Sequence, residues 1–226
     1  MERKENKALK SHSKKSKFYF VPPIIVRKIF NRFYWETNCN KILLTFDDGP
    51  NPATTDKILR ILDKAKIKAI FFAVGKNLQR NPQLAKTIIQ EGHTLGNHTW
   101  SHNILTKISN AKQIEVIEKV QNYAYENFNY QIKYFRPPHG KFPLSLSKTL
   151  SRLGLTNIMW SLLTYDFENN FDIVKFAIDN FLKQNSIVVF HDSNKSAAII
   201  EDGLKYLIET AENKGFEFGK IDECLK

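Results

Sequence analysis

Two adjacent carboxylates, Asp47 and Asp48, close an apolar run over residues 41–46, and Gly49-Pro50 forces a turn directly behind them. A short buried strand that ends on a turn puts both acids at its C-terminal end, where α/β folds collect their chemistry. Neighbouring residues of an extended segment point to opposite sides, so one acid can hold a metal while the other takes a proton. An isolated Asp-Asp-Gly is as often a pair of solvated turn acids. The histidines shift that balance. His98-Thr99-Trp100-Ser101-His102 sets two imidazoles at i and i+4, which predicts one face of a helical turn and reach to a single metal. By itself the pair is weak evidence, because this spacing arises often by chance. Joined to Asp47-Asp48 it makes a His, His, Asp set, a donor combination that suits zinc and leaves a position open for water or substrate.

Two further segments end on polar groups. Phe135-Arg136-Pro137-Pro138-His139-Gly140 closes a short apolar strand over 132–135 with an arginine and a rigid turn, and Ser186-Ile187-Val188-Val189-Phe190-His191-Asp192 is a buried strand that ends on a histidine. Polar residues at the ends of several separate strands are how a barrel assembles one site from distant sequence. His93, after Glu91-Gly92, reads as structural, and His12, in a basic tail, as solvated. Trp35 and Trp160 read as packing residues; Trp100, between the two histidines, is the best exception.

The elements that would position these groups alternate along the chain. Strands are expected over 41–46, 67–74, near 132, over 155–160 and over 187–190. Helices are expected over 54–65, 82–90, 111–127, 144–153, 173–182 and 199–213. This βα rhythm predicts an α/β fold with a parallel sheet, closed or nearly closed as a barrel. There is no internal repeat, and 226 residues support one sizeable domain.

Over residues 40–220 the chain resembles the family 4 carbohydrate esterases, the NodB-homology polysaccharide deacetylases. Five motifs stand in that family's order: Thr45 through Pro50, His98 through His102, Arg136 through Gly140, Trp160 through Phe167, and Val188 through Asp192. Phe71-Phe72 and the stretch from Gly92 to His98 match its supporting segments. The resemblance implies an irregular (β/α) barrel of seven or eight strands and a metal-dependent N-deacetylase. Carried over by position, Asp48, His98 and His102 hold one divalent metal, zinc by preference. Asp47 is then the general base, tethered by Arg136. The backbone N–H of His139 contributes to the oxyanion hole, and His191 is the general acid, oriented by Asp166. Val189 lines the pocket for the acetyl methyl, and Pro138, His139 and Phe167 face the sugar.

The chain departs from the family pattern in three places. His139 stands where Tyr or Phe is usual, Phe167 where Trp follows the aspartate, and Leu163 where an acid is frequent. None is an expected metal ligand, acid or base.

Charge is distributed unevenly. Residues 1–41 hold 11 Lys+Arg against 3 Asp+Glu, a net of +8, and the remaining residues contribute only +3 of the total +11. A basic extension over 1–38 and a catalytic domain over 39–226 are expected. The arm at 1–17 reads as a solvated tail, with weak contact to an anionic membrane as the functional alternative. The aromatic, basic stretch 18–35 is expected as a helix outside the barrel or on a membrane surface. It makes no convincing signal peptide, since the apolar run is short, holds Pro22-Pro23 and lacks a small-residue cleavage site. No run spans a bilayer, so a cytoplasmic or membrane-peripheral placement is expected. Cys39 and Cys224 can pair only if the ends of the domain meet; two cysteines show no disulfide framework, and free thiols are expected.

Other functions fit less well. A haloacid-dehalogenase-type phosphatase needs Asp-x-Asp, and a nucleic-acid binder would need more than a charged tail. A non-catalytic glycan-binding protein on this fold would be expected to have lost Asp47 or His191. Hydrolysis of another C–N bond, in a small molecule or a lipid-linked sugar, stays open beside deacetylation of chitin-type or peptidoglycan-type glycans. The sequence leaves the oligomeric state open.

Overall fold

The computed structural model describes residues 18–225; the basic arm 1–17, with His12, lies outside the described residues. Seven parallel strands curl into an irregular barrel, in the order β5-β4-β3-β2-β1-β7-β6. They are β1 (Leu43–Asp48), β2 (Ile70–Ala73), β3 (Thr94–Asn97), β4 (Tyr134–Phe135), β5 (Thr156–Asn157), β6 (Leu162–Leu163) and β7 (Ile187–His191). Around them run α1 (Ile24–Ile29), α2 (Thr55–Lys64), α3 (Gly75–Arg80), α4 (Pro82–Gln90), α5 (Asn110–Phe128), α6 (Leu146–Arg152), α7 (Phe171–Phe181), α8 (Ile200–Asn213) and α9 (Ile221–Cys224). No helix among the described residues is long and apolar enough to cross a membrane.

The strand period of two sorts side chains between two cores. Leu43, Ile70, Phe72, Ile158 and Ile187 fill the barrel interior. Leu44, Phe46, Phe71, Val188 and Phe190 face outward into the helix layer. Each such burial contributes about 1.5–3 kcal/mol. On β1 the residues sharing Leu43's side are Thr45 and Asp47, so the same alternation that builds the core carries a carboxylate into the barrel mouth.

The strands expected over 132–135 and 155–160 shrink to two residues each in β4 and β5. The wall between β5 and β6 is completed by the N-terminal segment. Tyr34 N–H donates to the Asn157 carbonyl (3.1 Å), Met159 N–H to the Tyr34 carbonyl (2.8 Å) and Leu163 N–H to the Phe20 carbonyl (2.9 Å). Phe20, Phe33 and Trp35 are buried in the main core. Within 18–35 only α1 is helical, and it does lie outside the barrel.

The cysteines are a correction. Cys39 and Cys224 are disulfide-bonded with their Cα atoms 4.8 Å apart, rather than free. The ends of the domain do meet. Asn38 N–H donates to the Cys224 carbonyl (2.9 Å), and Ile42 N–H to the Glu217 carbonyl (2.8 Å), which docks the C-terminal strand-like segment against the base of β1.

Candidate active site

At the C-terminal ends of the strands a cavity of about 290 Å³ is lined by Asp47, Asp48, His98, His102, His139, Val189 and His191, among others. The imidazoles do not sit on a helical turn. β3 ends at Asn97, and Thr99 and His102 both take left-handed backbone conformations (φ 64° and 54°). The loop's own partners dictate this path. The Asn97 side chain accepts from Thr99 N–H (2.9 Å), the Thr99 hydroxyl accepts from Asn103 N–H (3.0 Å), and Gly75 and Lys76 N–H donate to the carbonyls of Thr99 and Trp100. A side chain at residue 75 would collide with the Trp100 ring, so glycine lets α3 approach the loop closely. Trp100 is a packing residue, covered by Lys119 and Tyr123.

The loop still brings three ligand types together. The donor atoms of Asp48, His98 and His102 lie within 4.8 Å of one another. Asp48 Oδ1 is 3.1 Å from His102 Nε2 and 3.8 Å from His98 Nε2. His98 Nδ1 donates to the Arg136 carbonyl (2.7 Å), which fixes the tautomer and leaves Nε2 as the free lone pair. Asp48 Oδ1 is buried and accepts no hydrogen bond. An orphaned carboxylate oxygen facing two imidazoles fits a divalent cation. Burial lowers the His98 pKa to about 4, so the ring is neutral at pH 7. Burial opposes the charge on Asp48, but His102, His191 and His98 outweigh it and hold its carboxyl well below the usual range. Neutral imidazole and ionised carboxylate are the forms that bind metal.

Asp47 and His191 flank this set, and each is held by a partner. Arg136, fully buried, lays its guanidinium over the Phe72 ring at 4.2 Å. Its Nη1 donates to Asp47 Oδ1 (2.7 Å) and to the Thr45 hydroxyl (2.7 Å), while Nε and Nη2 donate to the carbonyls of Ile158 and Met159. All three of its nitrogens, through four of the five N–H donors, thus find acceptors inside the barrel, as a buried guanidinium requires. Asp47 Oδ2 remains free of that clamp, 4.0 Å from His98 Nε2.

Asp166 grips His191 twice, accepting from the backbone N–H (2.7 Å) and from ring Nδ1 (2.7 Å). Burial works against a charged imidazole, but Asp166 overrides it, with smaller help from Asp48 and Asp47, and the His191 pKa rises to about 9. The ring is therefore protonated at pH 7, with Nε2 left free to donate. The Phe167 ring meets it edge-on at 4.8 Å.

Every site residue singled out in the sequence, Pro138 apart, either lines the cavity or directly holds a residue that does. Pro138 is buried at the turn beneath His139, whose ring rests edge-on against His102 at 4.6 Å. His139 adopts a left-handed conformation, and Gly140 after it leaves room for Trp160, where a side chain would clash. His93 is structural as expected, its Nδ1 accepting from Ala69 N–H (3.2 Å). Trp160, expected as a packing residue, also lines the cavity, as do Gly140 and Leu163 from the motifs; two further lining residues, Tyr165 and Lys195, were not singled out. Tyr165 has a weak signal beside Asp166; Lys195, four residues past His191 in a polar loop, has none.

This arrangement agrees with comparison to known proteins. Residues 35–158 match the polysaccharide deacetylase family, and the chain belongs to it. A peptidoglycan-N-acetylglucosamine deacetylase of Listeria monocytogenes is 34% identical over 184 residues, covering 81% of this chain and 38% of the relative. A peptidoglycan-N-acetylglucosamine deacetylase of Bacillus cereus is 31% identical, over 85% of this chain and 92% of its own length. The crystal structure of a peptidoglycan N-acetylglucosamine deacetylase superposes with a TM-score of 0.80 at 28% identity, covering 84% of this chain and 91% of that one. The chain thus spans well under half the length of the Listeria protein.

Proposed function

We propose that this chain is a metal-dependent N-deacetylase that hydrolyses the acetamide of N-acetylhexosamine units in a peptidoglycan-type or chitin-type glycan. The observation that carries the reading is the open triad of Asp48, His98 and His102 set between a clamped carboxylate and a clamped, protonated imidazole. Two imidazoles and one carboxylate favour zinc among divalent ions. An ion held there supplies a Lewis acid, polarising the acetamide carbonyl and lowering the pKa of water from about 16 towards about 7.

The chain's own groups do the rest. Asp47 Oδ2 accepts the proton of the attacking water while Arg136 keeps Oδ1 from swinging away. The backbone N–H of His139 donates to the developing oxyanion; losing one such donor typically costs about 100- to 1000-fold. His191 Nε2 gives its proton to the departing nitrogen, with Asp166 steadying the imidazolium, so that the amine leaves neutral. Val189 forms the apolar floor against the acetyl methyl. No serine or cysteine nucleophile takes part. The Cys39–Cys224 disulfide favours an oxidising compartment over the cytoplasm for this work.

Acetate release by zinc-loaded protein from N-acetylglucosamine oligomers and from peptidoglycan fragments tests the reading. Release that a chelator stops and zinc restores is expected. A zinc-loaded protein that releases no acetate from any of them would overturn it.

A further inference from the structure

The N-terminal segment carries a feature that the active site does not use. Of the six large hydrophobic side chains most exposed among the described residues, four fall between residues 19 and 29: Tyr19 (76%), Ile24 (68%), Ile25 (65%) and Ile29 (65%). Helix α1 buries none of its residues, yet it is not loosely attached. Val26 and Phe30 turn inward and pack on the main core, and Arg27 pairs with Glu36 at 2.6 Å. The opposite side presents Ile24, Ile25, Lys28 and Ile29, followed by exposed Arg32. Neither Lys28 nor Arg32 has a carboxylate partner among the described residues. Residues 1–17, which lead directly into this face, hold seven Lys+Arg and two Asp+Glu.

Its position in the fold matters as much as its composition. Phe30 and Phe33 pack edge-on against Phe142 (4.8 and 5.3 Å), three residues past His139. Phe18 and Phe20 pack on Tyr165 (4.7 and 5.3 Å), and Tyr19 N–H donates to its hydroxyl (3.0 Å). The segment is thus braced on two loops that line the catalytic cavity.

We infer that Tyr19, Ile24, Ile25 and Ile29, with Lys28 and Arg32, form a face that docks on an anionic lipid bilayer and holds the catalytic mouth beside it. Aliphatic side chains ringed by unpaired cations match the two layers of a bilayer interface, apolar acyl boundary and anionic headgroup. The sequence directly ahead of this face, residues 1–17, adds a net +5, and that charge favours an anionic bilayer over a neutral apolar partner. Docking is independent of the deacetylase chemistry, and an inactive enzyme still binds.

Co-sedimentation of the full-length chain with phosphatidylcholine vesicles, with and without phosphatidylglycerol, tests it. Binding is expected only with the anionic lipid, and it fades as salt rises from about 0.1 M to about 1 M and the Debye length shrinks from about 10 Å to about 3 Å. The triple variant Ile24→Glu, Ile25→Glu, Ile29→Glu should keep its thermal transition and its activity on a soluble substrate, because none of the three is buried or lines the cavity. Its partition to vesicles should fall by at least about tenfold. Lys28→Glu alone should cost on the order of fivefold. Equal sedimentation of wild type and triple variant would overturn the inference, as would no binding to anionic vesicles. So would a concentration-dependent dimer abolished by the triple variant, since a second copy would then be what covers the face.

Discussion

The two halves of the barrel wall are built on different principles. β1, β2, β3 and β7 run four to six residues each, wholly buried but for their strand ends, and pair in continuous register. β4, β5 and β6 are two residues each, and their wall is stitched by Tyr34 and Phe20. Asp47, Asp48 and His191 stand on the first half, with His98 and His102 just beyond the end of β3. Arg136 and Asp166, which only orient Asp47 and His191, reach across from the second. His139, Leu163 and Phe167, the three departures from the family pattern, also belong to the second. Under the proposed mechanism the acid, the base and the metal ligands thus sit on the continuous half, while their orientation, the His139 backbone donor and most of the sugar-facing side chains come from the irregular one, with Val189 on β7 the exception. That division would let the sugar-facing side chains change without moving the acid, the base or the metal ligands.

The largest effect should follow from removing a ligand on the continuous half. His98→Ala is expected to abolish stoichiometric zinc in elemental analysis and cut acetate release by at least about 1000-fold, the scale of several kcal/mol of lost Lewis-acid stabilisation. Retained zinc and turnover would break the comparison at its base. Asp47→Asn comes next. It should keep zinc but lose about 100- to 10,000-fold in kcat. It also leaves the buried Arg136 charge without its counter-ion, so the melting temperature should drop as well.

Asp166→Asn separates orienting from reacting. With Asp166 present, His191 holds its proton up to about pH 9, so activity should fall only as pH rises through that value. Without Asp166 burial is left to dominate, the imidazole deprotonates at lower pH, and the alkaline limb should move down by more than one unit. A pH–rate profile measures this, and an unmoved limb would mean that the limb does not report His191. The smallest effects should come from the irregular half's surface. His139→Tyr and Phe167→Trp should change kcat by less than about threefold while shifting KM among glycans. A kcat collapse in either would merge the two halves.

Much of the continuous half was legible because its signals are local. The apolar run behind Asp47 and the β7 stretch ending on His191 carry their own strand signature, and α4 begins on Pro82 and ends before Gly92, as helix punctuation dictates. The short strands gave no period to read, since two residues contain none. The His98–His102 spacing suggested a helical turn, but spacing alone is blind to Asn97 and to the α3 amides that bend the loop instead. The disulfide was missed for a related reason, because pairing depends on where residues 39 and 224 meet in space. Phe20 and Tyr34 as wall-builders were equally invisible, being defined by partners more than 120 residues away.

That last feature has a consequence for how the chain is made. Residues 18–35 leave the ribosome well before the backbone groups they pair with, at 157, 159 and 163, which emerge more than a hundred residues later. At about 5–20 residues per second, the aromatic segment waits for seconds with Phe20, Phe33 and Trp35 unpartnered. Contacts of such sequence separation slow folding, because the loop must close before they stabilise anything. Until those distant backbone groups arrive, this seam of the barrel stays open and leaves aromatic surface exposed to aggregation.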